Sequence, residues 1–287
     1  MEERKRRLIR IKSREHGFAS CALVGAEAFD VWQSAAARQA YPDWLLHDVR
    51  KQQPGTQCIA VLYWPYTPFG PFPAGYVPYP AYYIASNAAY HAAKRLACAL
   101  RQEGIAAEAF DRIPQRAAAL RGAHVCLGKN ALLYHAQYGS YFALATLLLQ
   151  DISPETDAHA PDRPMDKRAR QCLSCRRCIK ACPTGAIQEQ GFCYTQCIRY
   201  WLDEKPLIHK ARGVADMILG CDVCQRVCPM NSYIPPAAPA WEAYAPFSLQ
   251  ALLCGGKDTR RDIACLVGAN LANRAAEQAR LLFEKGI

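Results

Sequence analysis

The sequence predicts an α/β domain at the N-terminus, a small cysteine-rich domain after it and a short helical tail at the C-terminus. Over residues 1–150, apolar segments typical of strands alternate with segments of helical periodicity, a pattern typical of α/β folds. Nine of the fifteen cysteines lie between Cys172 and Cys228. Prolines and short helical segments follow from Pro235 onward. We therefore predict three domains, over residues 1–153, 154–235 and 236–287.

The predicted α/β domain begins with a basic helix and two strands. Arg4–Glu15 predicts a helix that stops at Gly17, because glycine is common just past a helix end. The apolar runs Ala19–Val24 and Cys58–Trp64 predict strands that lie inside a sheet.

Helices and strands continue to alternate after residue 83. Helical spacing identifies the longest element, and short apolar runs identify the others. The predicted elements are a helix over Ile84–Gln102 that ends at Gly104, a strand over Ala106–Phe110 and a helix over Pro114–Arg121. Asn130–His135 and Ser140–Leu149 then predict two closing strands, or a strand and a helix.

The segment between Tyr63 and Tyr83 contains nine aromatic residues and six prolines. So many prolines exclude a regular helix or a central strand, because proline lacks the N–H donor that both require. So many rings are also not expected to sit in water. We interpret the segment as an ordered loop packed on the domain surface, or as a wall or lid over a flat, largely apolar cofactor or substrate.

Closely spaced cysteines define the second domain. The first run is Cys172-x2-Cys175-x2-Cys178-x3-Cys182-Pro183, and Cys221-x2-Cys224-x3-Cys228-Pro229 echoes it. In the ferredoxin pattern, three thiolates of such a run hold one [4Fe–4S] cluster and the fourth, before proline, reaches a second cluster. Proline fixes φ there and turns the chain away from its own triplet. The two runs therefore predict a ferredoxin-like domain with two [4Fe–4S] clusters.

Each run gives one ligand to the cluster of the other run under this pattern. Cluster one takes Cys172, Cys175, Cys178 and Cys228, and cluster two takes Cys182, Cys221 and Cys224. Ile218 occupies the position where the first cysteine of the second run is expected. One more ligand for cluster two must therefore come from elsewhere, and both Cys193 and Cys197 lie nearby in the sequence.

Zinc and disulfides are the alternative uses of such cysteines. Zinc sites usually take four ligands from paired C-x2-C motifs, which would leave too many cysteines here without a use. Disulfides suit secreted chains, but no apolar region of a signal peptide follows the charged N-terminus. No apolar stretch approaches the roughly 20 residues of a membrane span, so we expect a cytoplasmic protein. We interpret the remaining cysteines as buried small apolar residues: Cys21, Cys58, Cys98, Cys126, Cys254 and Cys265.

The net charge of +10 is concentrated in two segments. Residues 1–15 hold seven Lys or Arg against three Glu, and residues 162–180 hold seven Lys or Arg against two Asp. We interpret these cations as a solvated helix face and as compensation for the negative charge of the clusters. The alternative hypothesis is a surface that binds a polyanion such as RNA.

Three segments of the cysteine-rich region resemble epoxyqueuosine reductases: Cys172–Ile187, Gln196–Tyr200 and Gly220–Asn231. That family makes the last step of queuosine synthesis on tRNA with two [4Fe–4S] clusters and cobalamin, and it is related to reductive dehalogenases. The resemblance implies that Cys197, rather than Cys193, is the remaining ligand of cluster two. Three upstream segments resemble the substrate-pocket region of the family: Phe110–Pro114, Gly128–Leu133 and Gly139–Phe142.

The resemblance also implies a shortened member of the family. Family members have a longer C-terminal helical-repeat domain that helps to hold tRNA. Under this resemblance, the sequence retains only a remnant of the helical-repeat domain, near Leu266–Leu282, and lacks most of that domain.

Asp111 is the catalytic residue that the resemblance implies. It occupies the place of the general acid that protonates a substrate oxygen as electrons arrive. A carboxylic acid in an apolar pocket has its pKa raised by desolvation, so that it can donate a proton near neutral pH. The alternative interpretation is that Asp111 caps the helix that opens at Pro114, or faces solvent.

The implied function is that of an oxidoreductase that passes electrons through two clusters to cobalamin and reduces a nucleoside-like or small substrate. An external low-potential donor of the ferredoxin or flavodoxin type is the expected electron source, and tRNA or a small molecule is the expected substrate. Two hypotheses from other classes are an electron-transfer protein without a substrate of its own, and a redox-sensing or RNA-binding regulator.

Overall fold

A four-stranded antiparallel sheet forms the centre of the N-terminal domain in this computed structural model, which describes residues 1–29, 45–122, 124–155 and 172–283. The strands are β1 (Ser20–Gly25), β2 (Cys58–Pro65), β3 (Ala107–Ala109) and β6 (Phe142–Leu149), in the order β1-β2-β6-β3. β2 and β6 are central and largely buried because they are continuous runs of apolar residues. Ser140–Leu149 is therefore a strand rather than a helix.

Three helices cover the two faces of the sheet: α1 (Glu2–Glu15), α2 (Tyr82–Gln102) and α3 (Gln115–Arg121). α1 and α2 pack on one face, and α3 packs on the other. The side of α2 that faces the sheet is rich in alanine, so the helix lies close to the strands. The predicted α/β class is thus confirmed. None of the described helices combines the length and the hydropathy needed to cross a membrane.

A short hairpin, β4 (Val125–Leu127) and β5 (Leu133–His135), lies outside the main sheet. The sequence analysis identified β5 but not β4. β4 is an apolar run of only three residues, which is too short to predict a strand, and none of the three is buried.

The cysteine-rich domain is built from very short elements. They are α4 (Arg177–Ala181), β7 (Ile187–Gln188), β8 (Gly191–Phe192), α5 (Ile198–Asp203) and α6 (Val223–Arg226). A buried network joins this domain to the sheet domain. The Asn231 side-chain amide donates to Ser140 Oγ at 2.9 Å and to the Gln225 carbonyl at 2.8 Å, and Asn231 Oδ1 accepts from the Ser140 N–H at 2.8 Å.

Three helices form the C-terminal tail: α7 (Leu249–Cys254), α8 (Lys257–Val267) and α9 (Ala269–Phe283). They share a hydrophobic core with the aromatic segment. The Tyr79 ring stacks on Phe247 with 4.0 Å between centroids, and both Val77 and Tyr79 are buried. The segment is therefore an ordered, irregular stretch, as the first interpretation predicts, but it packs into this core rather than on the domain surface. Its rings are buried against residues that are distant in sequence. The second interpretation, a wall or lid over a cofactor or substrate, stays a prediction.

Gln278 fixes the tail to the cysteine-rich domain. Its side chain is buried, and Oε1 accepts from the Leu219 N–H at 2.6 Å while Nε2 donates to the Leu202 carbonyl at 2.9 Å. We expect Gln278→Ala to lower the free energy of unfolding by about 1–3 kcal/mol, because it leaves buried backbone groups unpaired. Thermal or urea unfolding measures this loss. The exposed Gln250→Ala variant of α7 is the matched control, and an equal loss in both variants would contradict the assignment.

The cysteines outside the two runs differ in exposure. Cys58 is buried, as expected, whereas Cys21 and Cys126 are only half-buried. The prediction was wrong for three cysteines that lie on the outer sides of helices or at a helix end: Cys98, Cys254 and Cys265. All fifteen cysteines are free thiols, so the disulfide alternative is not observed.

Candidate metal centre and adjoining cavity

The eight thiols predicted as cluster ligands lie in or next to three short helices. Cys172 and Cys175 precede α4, Cys178 lies in its first turn and Cys182 follows it. Cys197 precedes α5. Cys221 precedes α6, Cys224 lies in it and Cys228 follows it. Proline after Cys182 and after Cys228 prevents the preceding helix from continuing. Loops of this kind leave backbone N–H groups free to point at sulfur atoms.

The structure brings Cys172, Cys175, Cys178 and Cys228 together. Burial raises the pKa of Cys178, and the charges of the three other thiols raise it further. Burial also raises the pKa of Cys228, and Cys172 and Cys175 add to that effect. These four residues are the set predicted for cluster one.

The structure also brings Cys182, Cys197, Cys221 and Cys224 together. Burial raises the pKa of Cys221 to about 12, and the charge of Cys197 adds to the increase. The pKa of Cys224 is raised by burial and then by Cys221 and Cys197. Burial raises the pKa of Cys197, and the charge of Cys182 adds to that increase. Cys178 also contributes to the shift of Cys224, so the two groups are adjacent.

Cys193 lies apart from this second group. Its Sγ is 3.6 Å from Thr195 Oγ1. It is not among the main contributors to the pKa of Cys197 or Cys221. The geometry therefore supports Cys197 as the fourth member of the second group.

The number of thiols in each group suits a cubane. A [4Fe–4S] cluster is bound by four thiolates at its separate iron corners, so each group of four thiols supplies the ligands of one cubane. Within the described ranges, no three His, Cys, Asp or Glu side chains lie close enough together to hold one metal ion.

Backbone N–H groups surround several of these sulfur atoms. Burial acts to raise the pKa of Cys182, but hydrogen bonds from the loop Thr184–Ile187 lower it overall. The N–H of Lys129 donates to Cys172 Sγ at 3.5 Å. Such donors stabilise negative charge on sulfur, as a cluster ligand requires.

The β4–β5 hairpin of the N-terminal domain closes over both groups of thiols. The Asn130 side-chain amide donates to Tyr134 Oη at 2.8 Å and to the Cys224 carbonyl at 3.4 Å. The Tyr134 hydroxyl hydrogen-bonds to Cys228 and opposes the increase of its pKa by burial. A Cβ at Gly128 would lie 2.4 Å from the Tyr134 ring, so only glycine fits there. The sequence analysis did not predict these contacts. The one observation that pointed to this hairpin was the resemblance of Gly128–Leu133 to the substrate-pocket region of the family.

A cavity of about 360 Å³ lies between α2, β3, β6 and the tail. Its polar lining comes mainly from Tyr83, Ser86, Tyr90, Asp111, Gln115 and Thr146. Its apolar lining includes Leu144 of β6 and Val267 and Leu271 of the tail. The tail therefore forms one wall of the cavity.

Asp111 lies at the rim of this cavity, just after β3. The preceding residue, Phe110, is held to β6 by its N–H, which donates to the Thr146 carbonyl at 3.0 Å. Asp111 is exposed, so the expected apolar enclosure is not observed, and the alternative interpretation that its side chain faces solvent agrees with the structure. Helix α3, which is described over its whole length, has Pro114 as its N-cap and no side-chain capping hydrogen bond. Asp111 is thus a cavity residue that does not cap the helix.

Tyr83 connects the cavity with the second group of thiols. It lines the cavity, and its buried hydroxyl donates to the Leu219 carbonyl. A Cβ at Gly220, beside Cys221, would lie 2.6 Å from Tyr83 Oη. Burial raises the pKa of Tyr83, and the charge of Cys197 is among the further causes. One aromatic side chain therefore separates the second group of thiols from the cavity.

Comparisons with known proteins bear on the cysteine-rich domain and on the fold. Residues 171–231 match the model of a 4Fe-4S double cluster binding domain. The chain superposes over 98% of its length on 81% of the crystal structure of an epoxyqueuosine reductase with an epoxyqueuosine-modified tRNA-Tyr stem loop, with a TM-score of 0.73 and 18% identity. This chain has the epoxyqueuosine reductase fold. The enzyme from Bacillus subtilis, in a structure with its catalytic aspartate loop swung out of the active site, gives a TM-score of 0.70, with 19% identity, over 98% of this chain and 81% of that one.

Sequence similarity to the same enzymes is confined to part of the chain. The epoxyqueuosine reductase of Leadbetterella byssophila is 36% identical over 114 residues, which are 38% of this chain and 34% of that protein. The chain thus spans about a third of the length of the curated relatives it matches. The double-cluster domain and the fold are shared, and activity, substrate and partners are taken up below as proposals.

Proposed function

We propose that this chain is an iron–sulfur oxidoreductase of the epoxyqueuosine reductase type. When bound, the two clusters would supply one-electron transfer between an external low-potential donor and the cavity lined by Asp111. The proposed ligands are Cys172, Cys175, Cys178 and Cys228 for cluster one, and Cys182, Cys197, Cys221 and Cys224 for cluster two. A nucleoside-like substrate, carried on tRNA or free, is reduced in the cavity.

The serial arrangement of the two thiol groups and the cavity supports this proposal best. A pure electron carrier needs exposed clusters but no cavity behind them. Here Tyr83 contacts the loop that contains the second group and also lines the cavity, so a ligand in the cavity lies next to cluster two. The solved relative with a modified tRNA stem loop supports a nucleoside as the substrate class.

Asp111 supplies the proton in the proposed reaction. Removal of an epoxide oxygen requires two electrons and two protons and releases water. The clusters, when bound, would supply the two electrons. The Asp111 carboxyl donates one proton to the oxygen as its bond to carbon breaks, and solvent water supplies the second. A substrate that fills the cavity mouth would cover this exposed side chain and exclude water from it.

Cobalamin fits this cavity only in part. A volume of about 360 Å³ lies at the lower end of the range of about 300–1,000 Å³ that is typical of ligand pockets. A corrinoid is larger than such ligands, so the cavity alone does not enclose it. Ser86 and Tyr90 of α2 line the cavity and would help to hold the cofactor. When bound, cobalamin would supply a strongly reducing cobalt centre.

The proposed reaction is tested with the reconstituted protein and an epoxyqueuosine-bearing anticodon stem loop. Iron, sulfide and hydroxocobalamin are added without oxygen, and loss of one oxygen atom from the nucleoside is followed by mass spectrometry. A corrinoid absorbance that survives desalting would support cobalamin binding. A protein with full clusters and bound corrinoid that leaves every epoxide intact would contradict the proposal.

We expect Asp111→Asn to lower kcat by about 100-fold, because an amide cannot donate the proton. The iron content and the rate of cluster reduction should not change, since Asp111 lies away from the thiols. Asp151→Asn, at an exposed position outside the cavity, is the matched control. An Asp111→Asn enzyme with unchanged kcat would exclude Asp111 as the acid.

A reducing compartment is part of the same proposal. All fifteen thiols are free, and eight of them would hold clusters of low potential. We therefore propose that the protein acts in the cytoplasm, where thiols remain reduced.

A further inference from the structure

The ligand loop of cluster one lies at the protein surface. Leu173, between Cys172 and Cys175, is 64% exposed. Ser174 is also exposed, and the two flanking cysteines are half-buried. A protein that docked on this loop would cover the apolar Leu173 side chain and would lie beside the ligands of cluster one.

Cations surround this exposed loop. Arg176, Arg177 and Lys180 are all exposed, and they occupy one short stretch that includes α4. Arg176 pairs with Glu189 at 2.5 Å, and the same carboxylate pairs with Lys129 at 3.2 Å. Within the described part of the chain, no carboxylate is paired with Arg177 or Lys180. The patch therefore has an excess of positive charge.

We propose that this patch docks an acidic protein that carries a low-potential one-electron centre. The patch, called the donor surface below, consists of Leu173, Arg176, Arg177 and Lys180. The reduced centre of the partner loses one electron and cluster one gains it, and no bond forms or breaks. This inference rests on the two proposed clusters and deepens the proposed function by locating the entry point of the electrons.

The position of the two thiol groups favours entry on this side. The second group lies beside Tyr83, Leu219 and the tail, which close it off towards the cavity. Electrons that enter near Leu173 therefore reach the cavity through both clusters in turn. An RNA backbone would also be attracted by these cations, but its phosphates would make no apolar contact with Leu173, whereas a protein partner can bury that side chain.

Complementary charge on the partner should make docking fast and sensitive to salt. Opposite charges on two surfaces raise association rates by about 10- to 1,000-fold at low ionic strength. Added salt removes most of this gain, because the Debye length falls to about 8 Å at 0.15 M. The apolar contact at Leu173 is less sensitive to salt than the charges are.

The test measures cluster reduction directly, without substrate. A chemically reduced, acidic plant-type ferredoxin is mixed with the oxidised, reconstituted protein in a stopped-flow instrument, and bleaching of the clusters is followed at several salt concentrations. We expect the double variant Arg177→Glu/Lys180→Glu to lower the second-order rate constant by about tenfold or more at low salt. Its rate should also lose most of its salt dependence. Leu173→Ala should lower the rate at high salt as well.

Arg7→Glu/Arg14→Glu is the matched control. Both residues are exposed on α1, so this variant changes the net charge equally at a distant site. We expect it to keep the parent rate, and all variants should keep the parent iron content. Equal rates in the parent and in the donor-surface variant would overturn the proposal, as would a loss of rate in the α1 variant alone.

A short RNA hairpin added as a competitor separates RNA binding from donor docking. If the donor-surface variant lost RNA binding but kept its reduction rate, the patch would be an RNA site and the proposal would be wrong. Because no substrate is present, failure of the cavity reaction leaves this result unaffected. If the donor reduced the clusters quickly but the substrate were not converted, the proposed function would be contradicted and the donor surface would not.

Discussion

Cys197→Ser is expected to remove cluster two and to leave cluster one in place. The iron content of the reconstituted protein should fall from about eight to about four per chain, because three thiolates hold a cubane poorly. Cys197 stands with Cys182, Cys221 and Cys224 in the structure, so its loss affects that group alone. Iron and sulfide analysis, together with electron paramagnetic resonance of the reduced protein, measures the change.

Cys193→Ser is the matched control for this variant. Cys193 lies only four residues before Cys197 in the sequence, but its thiol points to Thr195. We expect its iron content to equal that of the parent. If Cys193→Ser lost four irons and Cys197→Ser lost none, the ligand set of cluster two would have to be reassigned.

Asn231→Ala is expected to lower the free energy of unfolding by about 3–5 kcal/mol. The Asn231 side chain is buried and hydrogen-bonds to Ser140 and Gln225, which lie on both sides of the domain junction. A buried backbone group left without a partner costs about 1–3 kcal/mol, and each further lost hydrogen bond costs about 1 kcal/mol. Here the Ser140 N–H loses its partner, and the Ser140 hydroxyl and the Gln225 carbonyl each lose one hydrogen bond. Urea unfolding of the reconstituted protein measures the effect.

Gly139, on the N-terminal side of the same junction, cannot be replaced by a larger residue without disturbing Asn231. Its φ is +52°, and a Cβ there would lie 2.2 Å from Asn231 Oδ1. Gly139→Ala should therefore destabilise the protein even with Asn231 intact. Ser232→Ala is the matched control, because its exposed hydroxyl only contacts the Pro229 carbonyl. Comparable losses for Ser232→Ala and Asn231→Ala would show that the junction network has no special role.

The features that could be predicted from the sequence depend on local patterns. The strands β2 and β6 are continuous apolar runs, and α2 has a clear helical period, so neighbouring residues suffice to identify them. The two cysteine runs have a spacing that only a few metal sites use. The double-cluster match over residues 171–231 confirms that part of the prediction.

The features that could not be predicted depend on contacts between distant segments. Nothing near Tyr79 in the sequence indicates that its ring stacks on Phe247 of the tail. The contact of the β4–β5 hairpin with the thiols depends on Asn130 and Tyr134, whose neighbours in the chain have no cysteine run. Tyr83 is one of many aromatic residues in its segment, and only the fold shows that it separates the second group of thiols from the cavity.

An anaerobic reductive titration tests the two-cluster account most directly. The reconstituted protein is titrated with a calibrated low-potential reductant while its absorbance and iron content are measured. We predict about eight irons per chain and uptake of about two electrons, one for each cubane. Bound zinc in place of iron, or uptake of about one electron per chain, would contradict the assignment of the eight thiols to two clusters.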